Sequence, residues 1–143
     1  MINMRMISKV FVDTNVFVAI RDTTDTTHTR AIKISEYLRN HKVKWRTSSD
    51  VIGETLTVMS KKLGKAICVD WYKDFRNSRI EEIFVDERLH KEARSAFKQV
   101  KSKNTSFIDC SSVVAMKRNN IKYIFSFDDD FRKMGMKLVE DVV

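Results

Sequence analysis

Four acidic side chains stand at places in the sequence where an enzyme could use them together. Asp13 directly follows one short apolar, β-rich run, and Asp128 directly follows another. Glu54 and Asp109 lie in segments that have a helical pattern. Carboxylate oxygens are the ligands that Mg²⁺ and Mn²⁺ prefer. The four acids are therefore candidates for one site that binds a divalent cation.

Each acid also has a purely structural interpretation. An aspartate that follows a strand, as Asp13 does, is a common turn former. The motifs Ser106-x-x-Asp109 and Ser126-x-x-Asp129 each match a capping box, in which the acid closes the first turn of a helix. Glu54 lies off the apolar stripe of its helix, where a glutamate is usually just solvated. When the acids are considered one by one, Asp13 alone supports a functional role as strongly as a structural one.

Two further features favour a bound cation. The adjacent Asp128, Asp129 and Asp130 repel one another unless a cation or an arginine compensates them, although a helix N-terminus also favours acids. We expect each explanation to apply to different members of this run. Asp109 lies in a segment, Phe107 to Lys117, that is apolar on nearly every side, and a buried carboxylate needs a partner or a metal.

Short apolar runs alternate with helical patterns along the chain. Strands are expected at Lys9 to Val12, Val43 to Thr47, Ile83 to Val85, Ile121 to Phe127 and Lys137 to Val139. After a polar loop, helical patterns end near His41 and then cover Ile52 to Leu63, Lys65 to Asn77, Glu87 to Lys101 and Phe107 to Lys117. This alternation predicts a three-layer α/β/α sandwich with a central, mainly parallel sheet. Ligands bind beyond the carboxyl ends of such strands.

Length and composition limit the classes of protein to consider. A chain of 143 residues, with 43 % hydrophobic and 32 % charged residues and no internal repeat, fits one ordered domain spanning residues 1–143. The formal net charge of +8 creates a field that attracts nucleic acid. A merely soluble basic surface explains that charge equally well.

Several other classes are excluded. Cys68 and Cys110 cannot form a four-thiolate zinc site, and we expect both to be reduced, buried thiols. There is no Gly-rich phosphate loop for nucleotide hydrolysis or dinucleotide chemistry. The apolar run from Val10 to Ile20 is interrupted by polar residues, so neither a signal peptide nor a membrane span is supported. We expect a cytoplasmic protein.

The order of the four acids resembles the PIN-domain family, which includes the VapC toxins. The resemblance extends from Val10 to Phe131. Its most specific parts are the Asp13-Thr-Asn15 segment, Ser106-Phe-Ile-Asp109 and Ser126-Phe-Asp128-Asp-Asp-Phe131. Each motif is short, but their order and spacing make a chance match improbable. The region from Lys65 to Lys101 matches no motif, and its role is open.

The resemblance implies a metal-dependent endoribonuclease that hydrolyses RNA phosphodiester bonds with Mg²⁺ or Mn²⁺. By position in the motifs, the catalytic and metal-binding residues would be Asp13, Glu54, Asp109 and Asp128. The triple aspartate leaves the fourth ligand open between Asp128 and Asp130. Nearby amide and hydroxyl groups, those of Asn15 and Ser106, are weaker candidates for orienting the ligands or the phosphate.

The resemblance also implies partners and leaves alternatives. RNA is the expected substrate, a small cognate antitoxin the expected protein partner if the VapC likeness holds, and a homodimer the expected assembly. A catalytically inactive PIN-like module that binds RNA or a partner is the main alternative, and the presence of all four carboxylates argues against it. A haloacid-dehalogenase-like phosphatase would need a second aspartate where Asn15 stands.

Overall fold

Five parallel strands form the centre of the part of the chain that the computed structural model describes, residues 7–143. The strands are β1 (Lys9–Val12), β2 (Lys44–Ser48), β3 (Glu81–Ile83), β4 (Tyr123–Phe125) and β5 (Lys137–Leu138). The helices are α1 (Thr14–Arg21), α2 (His28–Asn40), α3 (Ser49–Leu63), α4 (Lys65–Arg76), α5 (Glu87–Gln99), α6 (Phe107–Arg118) and the single turn α7 (Asp130–Lys133). A short 3₁₀ helix, Val139–Asp141, follows β5.

The strand order is β3-β2-β1-β4-β5, and every neighbouring pair is parallel. Strand β1 therefore lies at the centre, and its register pairs Val12 with Phe125 of β4. Because parallel strands end at the same edge, the residues after β1 and β4 are brought side by side. The predicted three-layer sandwich with a parallel sheet is confirmed.

The core explains why these strands are so apolar. Val10, Phe11 and Val12 are fully buried, as are Ile124 and Phe125. A parallel strand that helices cover on two faces buries every side chain, so it has no polar alternation. The hydrophobic core includes residues from the sheet and from the helices beside it. The two central strands thus form a rigid base for the residues that follow them.

Three elements differ from the sequence-based expectation. Strand β4 covers Tyr123–Phe125 and not the whole run from Ile121 to Phe127, because Ser126 and Phe127 form hydrogen bonds with Asp13 and Asn15 instead. Helix α1 was not predicted, because its Val- and Ile-rich sequence favours a strand; Asp13 caps it and five of its eight residues are buried. Strand β3 was expected at Ile83 to Val85 but lies two residues earlier. It is an edge strand, and the Val85 N–H donates to Ser49 Oγ (2.9 Å) instead of extending the ladder.

Two smaller expectations concern cysteines and membranes. Cys68 and Cys110 are free and buried, as predicted. Among the helices of residues 7–143, none is long and apolar enough to span a bilayer.

Candidate active site

Asp13 is held at the carboxyl end of the central strand. Its backbone N–H donates to the carbonyl oxygen of Phe125 (3.1 Å), which joins the end of β1 to β4. Its Oδ1 accepts a hydrogen bond from the backbone N–H of Thr14 (2.9 Å) and so caps α1. Only 6 % of the residue is exposed. The structural and functional interpretations of Asp13 are therefore compatible.

The hydroxyl of Ser126 joins three parts of this region. Its Oγ donates to Asp13 Oδ2 (2.8 Å) and accepts from the Asn15 side-chain amide (3.1 Å) and from the Asp128 backbone N–H (3.1 Å). The Asn15 Oδ1 in turn accepts from the backbone N–H of Phe127 (3.2 Å). The ends of β1 and β4 are thus fixed relative to each other by buried and partly buried hydrogen bonds.

Thr14 fixes helix α3, which carries Glu54, beside α1. The Thr14 hydroxyl donates to the carbonyl oxygen of Val51 (3.3 Å) and accepts from the hydroxyl of Thr55 (3.1 Å). Glu54 itself is half-buried and faces the same cleft as Asp13. Although Glu54 lies off the apolar stripe of its helix, as the sequence indicates, it is not a freely solvated side chain.

Asp109 has the structural role that its motif predicts and also faces the cleft. Ser106 Oγ accepts from the Asp109 backbone N–H (3.1 Å), and Asp109 Oδ2 accepts from the Ser106 backbone N–H (3.0 Å). The predicted capping box at the start of α6 is therefore confirmed. Because one carboxylate oxygen suffices for the cap, the other can act as a ligand.

The three adjacent aspartates lie in different surroundings. Asp128 lines the cleft, and its Oδ1 accepts from the Asp130 backbone N–H (2.9 Å). Asp129 pairs with Arg132 (2.8 Å) and Asp130 with Lys133 (3.6 Å). The predicted capping box from Ser126 to Asp129 is wrong: α7 begins only at Asp130, its N-cap makes no side-chain hydrogen bond, and the serine hydroxyl serves Asp13.

The acids meet in one open cleft, which we call the acidic cleft, with a volume of about 470 Å³. Its polar lining comprises Asp13, Thr14, Asn15, Asp25, Thr27, Glu54, Lys62, Ser106, Asp109 and Asp128. All four candidate acids and the two weaker candidates are among them, whereas Asp130 is not. Thr14, Lys62 and Ser126 were missed, because hydroxyls and surface lysines have no distinctive pattern in a sequence.

The carboxylates raise one another's pKa. Burial is the main reason why the pKa of Asp13 rises to about 7, and the charges of Asp109 and Glu54 add to it, against the lowering effect of Ser126 and Thr14. Burial and the Asp109 charge raise the pKa of Glu54. Burial and the charge of Asp128 raise that of Asp109. The cleft therefore concentrates negative charge that the protein compensates poorly.

The chemistry of the donor set fits a divalent cation. Among residues 7–143, none of the four acids forms an ion pair with a lysine or arginine. In that same range, no three His, Cys, Asp or Glu side chains already surround a point at which a metal could sit. Mg²⁺ usually keeps several waters and uses only one or two carboxylates together with substrate phosphate. Uncompensated carboxylates in an open cleft suit that mode of binding.

Ser126→Ala is expected to lower the free energy of unfolding by about 1–3 kcal/mol, because it leaves buried Asp13 Oδ2 without its donor. It should also raise the pKa of Asp13 further. Ser112→Ala is the matched control, since in the described part of the chain the buried Ser112 hydroxyl has no hydrogen-bond partner. Urea denaturation measures the two effects, and equal losses in the two variants would argue against the role assigned to Ser126.

Comparison with known proteins agrees with this geometry. The model of the PIN domain family matches residues 10–137. The 23S rRNA-specific endonuclease VapC20 of Mycobacterium tuberculosis is 26 % identical over 128 residues, which cover 88 % of this chain and 94 % of the relative.

Solved structures give the same result. The crystal structure of M. tuberculosis VapC20, described as a Sarcin-Ricin loop cleaving toxin, matches with a TM-score of 0.79 and 25 % identity over 89 % of this chain and 95 % of that one. VapBC2 from Rickettsia felis, bound to a DNA fragment from their promoter, has a TM-score of 0.64 and 18 % identity over 91 % and 96 %. FitAcB from Neisseria gonorrhoeae has a TM-score of 0.62 and 16 % identity over 90 % and 95 %. The last two show the shared fold, and the family model covers most of the sequence: the chain belongs to the PIN domain family.

Proposed function

We propose that this protein is a metal-dependent endoribonuclease that hydrolyses phosphodiester bonds in RNA at the acidic cleft. The observation that carries the proposal is the convergence of four acids from four separate segments in one cleft, without an ion-pairing cation among the described residues. Asp13 and Asp109 also cap helices, but four like charges close together cost stability, so a functional cation is the physical reason to keep all four in one cleft.

Asp13, Glu54, Asp109 and Asp128 would hold Mg²⁺ or Mn²⁺. Such a cation, when bound, would supply an activated water and neutralise charge on the scissile phosphate. Asp13 is oriented for this role by Ser126 and Thr14, and Asp109 by the cap that it forms with Ser106. These contacts fix the carboxylates before substrate binds, so that little reorganisation is needed.

We prefer Asp128 to Asp130 as the fourth ligand. Asp128 lines the cleft, and of the two it has the larger effect on the pKa of Asp109. Asp130 has Lys133 as a nearby countercharge.

We further propose that the enzyme is the cytoplasmic toxin of a toxin–antitoxin pair. Its likeness to VapC20, a 23S rRNA-specific endonuclease and toxin, supports this role and makes ribosomal RNA the first substrate to test. A small antitoxin would then bind the protein and suppress cleavage. A homodimer, expected from the family resemblance, stays a prediction.

The experiment for this proposal is induced expression in a bacterial host, followed by mapping of new RNA 5′ ends. The wild type should arrest growth and produce discrete new ends, whereas Glu54→Gln should produce none. Co-expression with a small protein encoded by a neighbouring gene should restore growth and yield a complex if that protein is the antitoxin. If the wild type binds RNA but produces no new ends, the inactive binding module becomes the better interpretation.

A further inference from the structure

Without a bound cation the acidic cleft repels RNA, so basic side chains beside it are needed to hold the strand. Among the described residues that line the cleft, Lys62 is the only lysine or arginine. It lies near Asp22 and Asp25, and its charge helps to lower the pKa of each. Lys62 therefore interacts with two aspartates besides facing the cleft. A second cation, Arg30, lies against the wall of the cleft at Phe127, next to Asp128.

Phe127 is a half-buried ring on this wall and is held in place from two sides. Its backbone N–H donates to Asn15 Oδ1 (3.2 Å), which ties it to the network that orients Asp13. Its ring packs edge-to-face against Phe125 of the core, with 6.1 Å between ring centroids and 79° between planes. Phe127 is therefore a fixed aromatic surface beside the carboxylates.

Arg30 lies over this ring, with its guanidinium carbon 4.8 Å from the ring centroid. Its Nη1 is 3.2 Å from Glu140 Oε2, and 57 % of its side chain remains exposed. A guanidinium carries five N–H donors, so one carboxylate contact leaves several free to bind phosphate. Guanidinium planes also stack on nucleic acid bases. The ring and the glutamate fix this cation before any ligand binds.

The surface continues along α2 away from the cleft. Arg30, Lys33 and Tyr37 line a neighbouring hollow of about 350 Å³. Their spacing places them on one face of the helix. Tyr37 is 38 % exposed, and its ring stacks on that of His41 with 4.2 Å between the ring centroids. Cations placed among aromatic rings are typical of surfaces that bind single-stranded nucleic acid.

We propose that Phe127 and Arg30 form a platform for an unpaired nucleotide next to the bond that is cut, and that Lys33 and Tyr37 guide the strand away from it. This inference rests on the proposed function and assigns these residues to an unpaired nucleotide, because a base within a duplex cannot stack on a side chain. Continuity with the cleft and the two cations between the rings of Phe127 and Tyr37 favour RNA over a protein partner.

The test measures the binding of a fluorescent single-stranded RNA by its anisotropy at low salt. A chelator is present so that no strand is cut. Arg30→Gln should weaken binding about tenfold and reduce the salt dependence by about one counterion. Arg76→Gln is the matched control, because Arg76 lies over the Tyr72 ring (5.9 Å) on α4. It should change the dissociation constant less than twofold.

Phe127→Leu tests the stacking surface while keeping an apolar side chain against Phe125. It should weaken binding of the single strand about tenfold through lost stacking, with the salt dependence and duplex binding unchanged. Its melting temperature shows whether the fold is retained, and Arg30→Gln tests the same platform without altering the ring.

Any of the following outcomes would overturn the platform: no binding of single-stranded RNA by the wild type, equal losses in Arg30→Gln and Arg76→Gln, or unchanged RNA binding with loss of a co-expressed protein partner in Arg30→Gln. The last outcome would assign the surface to a protein. Failure of the proposed function is a separate result. If the wild type binds RNA through Arg30 but never cuts it, the nuclease proposal is wrong and the platform proposal stands. Conversely, if wild type and Arg30→Gln cut RNA with the same KM, the nuclease proposal stands and the platform proposal is wrong.

Discussion

Asp13→Asn is expected to lower the rate of RNA cleavage at least about a hundredfold, because loss even of groups that only orient metal ligands costs about 10- to 100-fold. The substitution keeps the size of the side chain and the oxygen that caps α1, but removes the charge that attracts a cation. Single-turnover cleavage of labelled RNA in Mg²⁺ or Mn²⁺ measures the effect.

Asp129→Asn is the control for this prediction. Asp129 is adjacent to a candidate ligand, but its side chain is 76 % exposed and pairs with Arg132. Removing its charge should change the cleavage rate less than threefold. Equal losses of activity in the two variants would mean that the overall negative charge of the region, and not the cleft itself, supports cleavage. Unchanged activity in Asp13→Asn would show that Asp13 is not part of the site.

The second large effect concerns stability in the absence of metal. The pKa of Asp13 is about 7 in the fold, above its ordinary value of 3.8, so the folded state holds a proton that the unfolded chain releases. The stabilisation from this group is complete below pH 4 and is lost as the pH rises through 7. The shift of about three pKa units sets an upper bound of about 4 kcal/mol on the loss.

The measurement compares the free energy of unfolding of wild type and Asp13→Asn, in chelator, between pH 4.5 and 8. The wild type should become less stable relative to the variant as the pH rises, because the variant has no carboxyl group to ionise. Adding Mn²⁺ at pH 8 should restore stability to the wild type and much less to the variant. A stability difference between the two proteins that is independent of pH would show that the fold does not raise the pKa of Asp13.

The acids and the layers of the fold could be predicted because each has a local signal. Apolar runs ending in aspartate mark the carboxyl ends of buried parallel strands, and the Ser106 motif specifies its own cap. The family resemblance then connects the acids. Neither source gives the geometry that places Glu54 beside Asp109, which depends on how Thr14 fixes α3 against α1.

Other parts of the site have no local signal. Ser126 matches a helix cap in sequence, yet its hydroxyl donates a hydrogen bond to Asp13, which lies near the other end of the chain. Arg30 contacts Phe127 only because the fold brings α2 beside the segment that follows β4. Helix α1 is defined by the Asp13 cap and by burial, which override its β-rich composition. Tertiary contacts decide these features, and spacing in the sequence does not encode them.

The measurement that tests the central claim most directly is cleavage of labelled single-stranded RNA and 23S rRNA by the purified protein, titrated with Mg²⁺ or Mn²⁺ after complete chelation. The account predicts no cleavage in chelator, cleavage that rises and saturates with added cation, and none in Glu54→Gln at any concentration of cation. Cleavage that persists in chelator, or no cleavage of any RNA by the metal-loaded wild type, would contradict it.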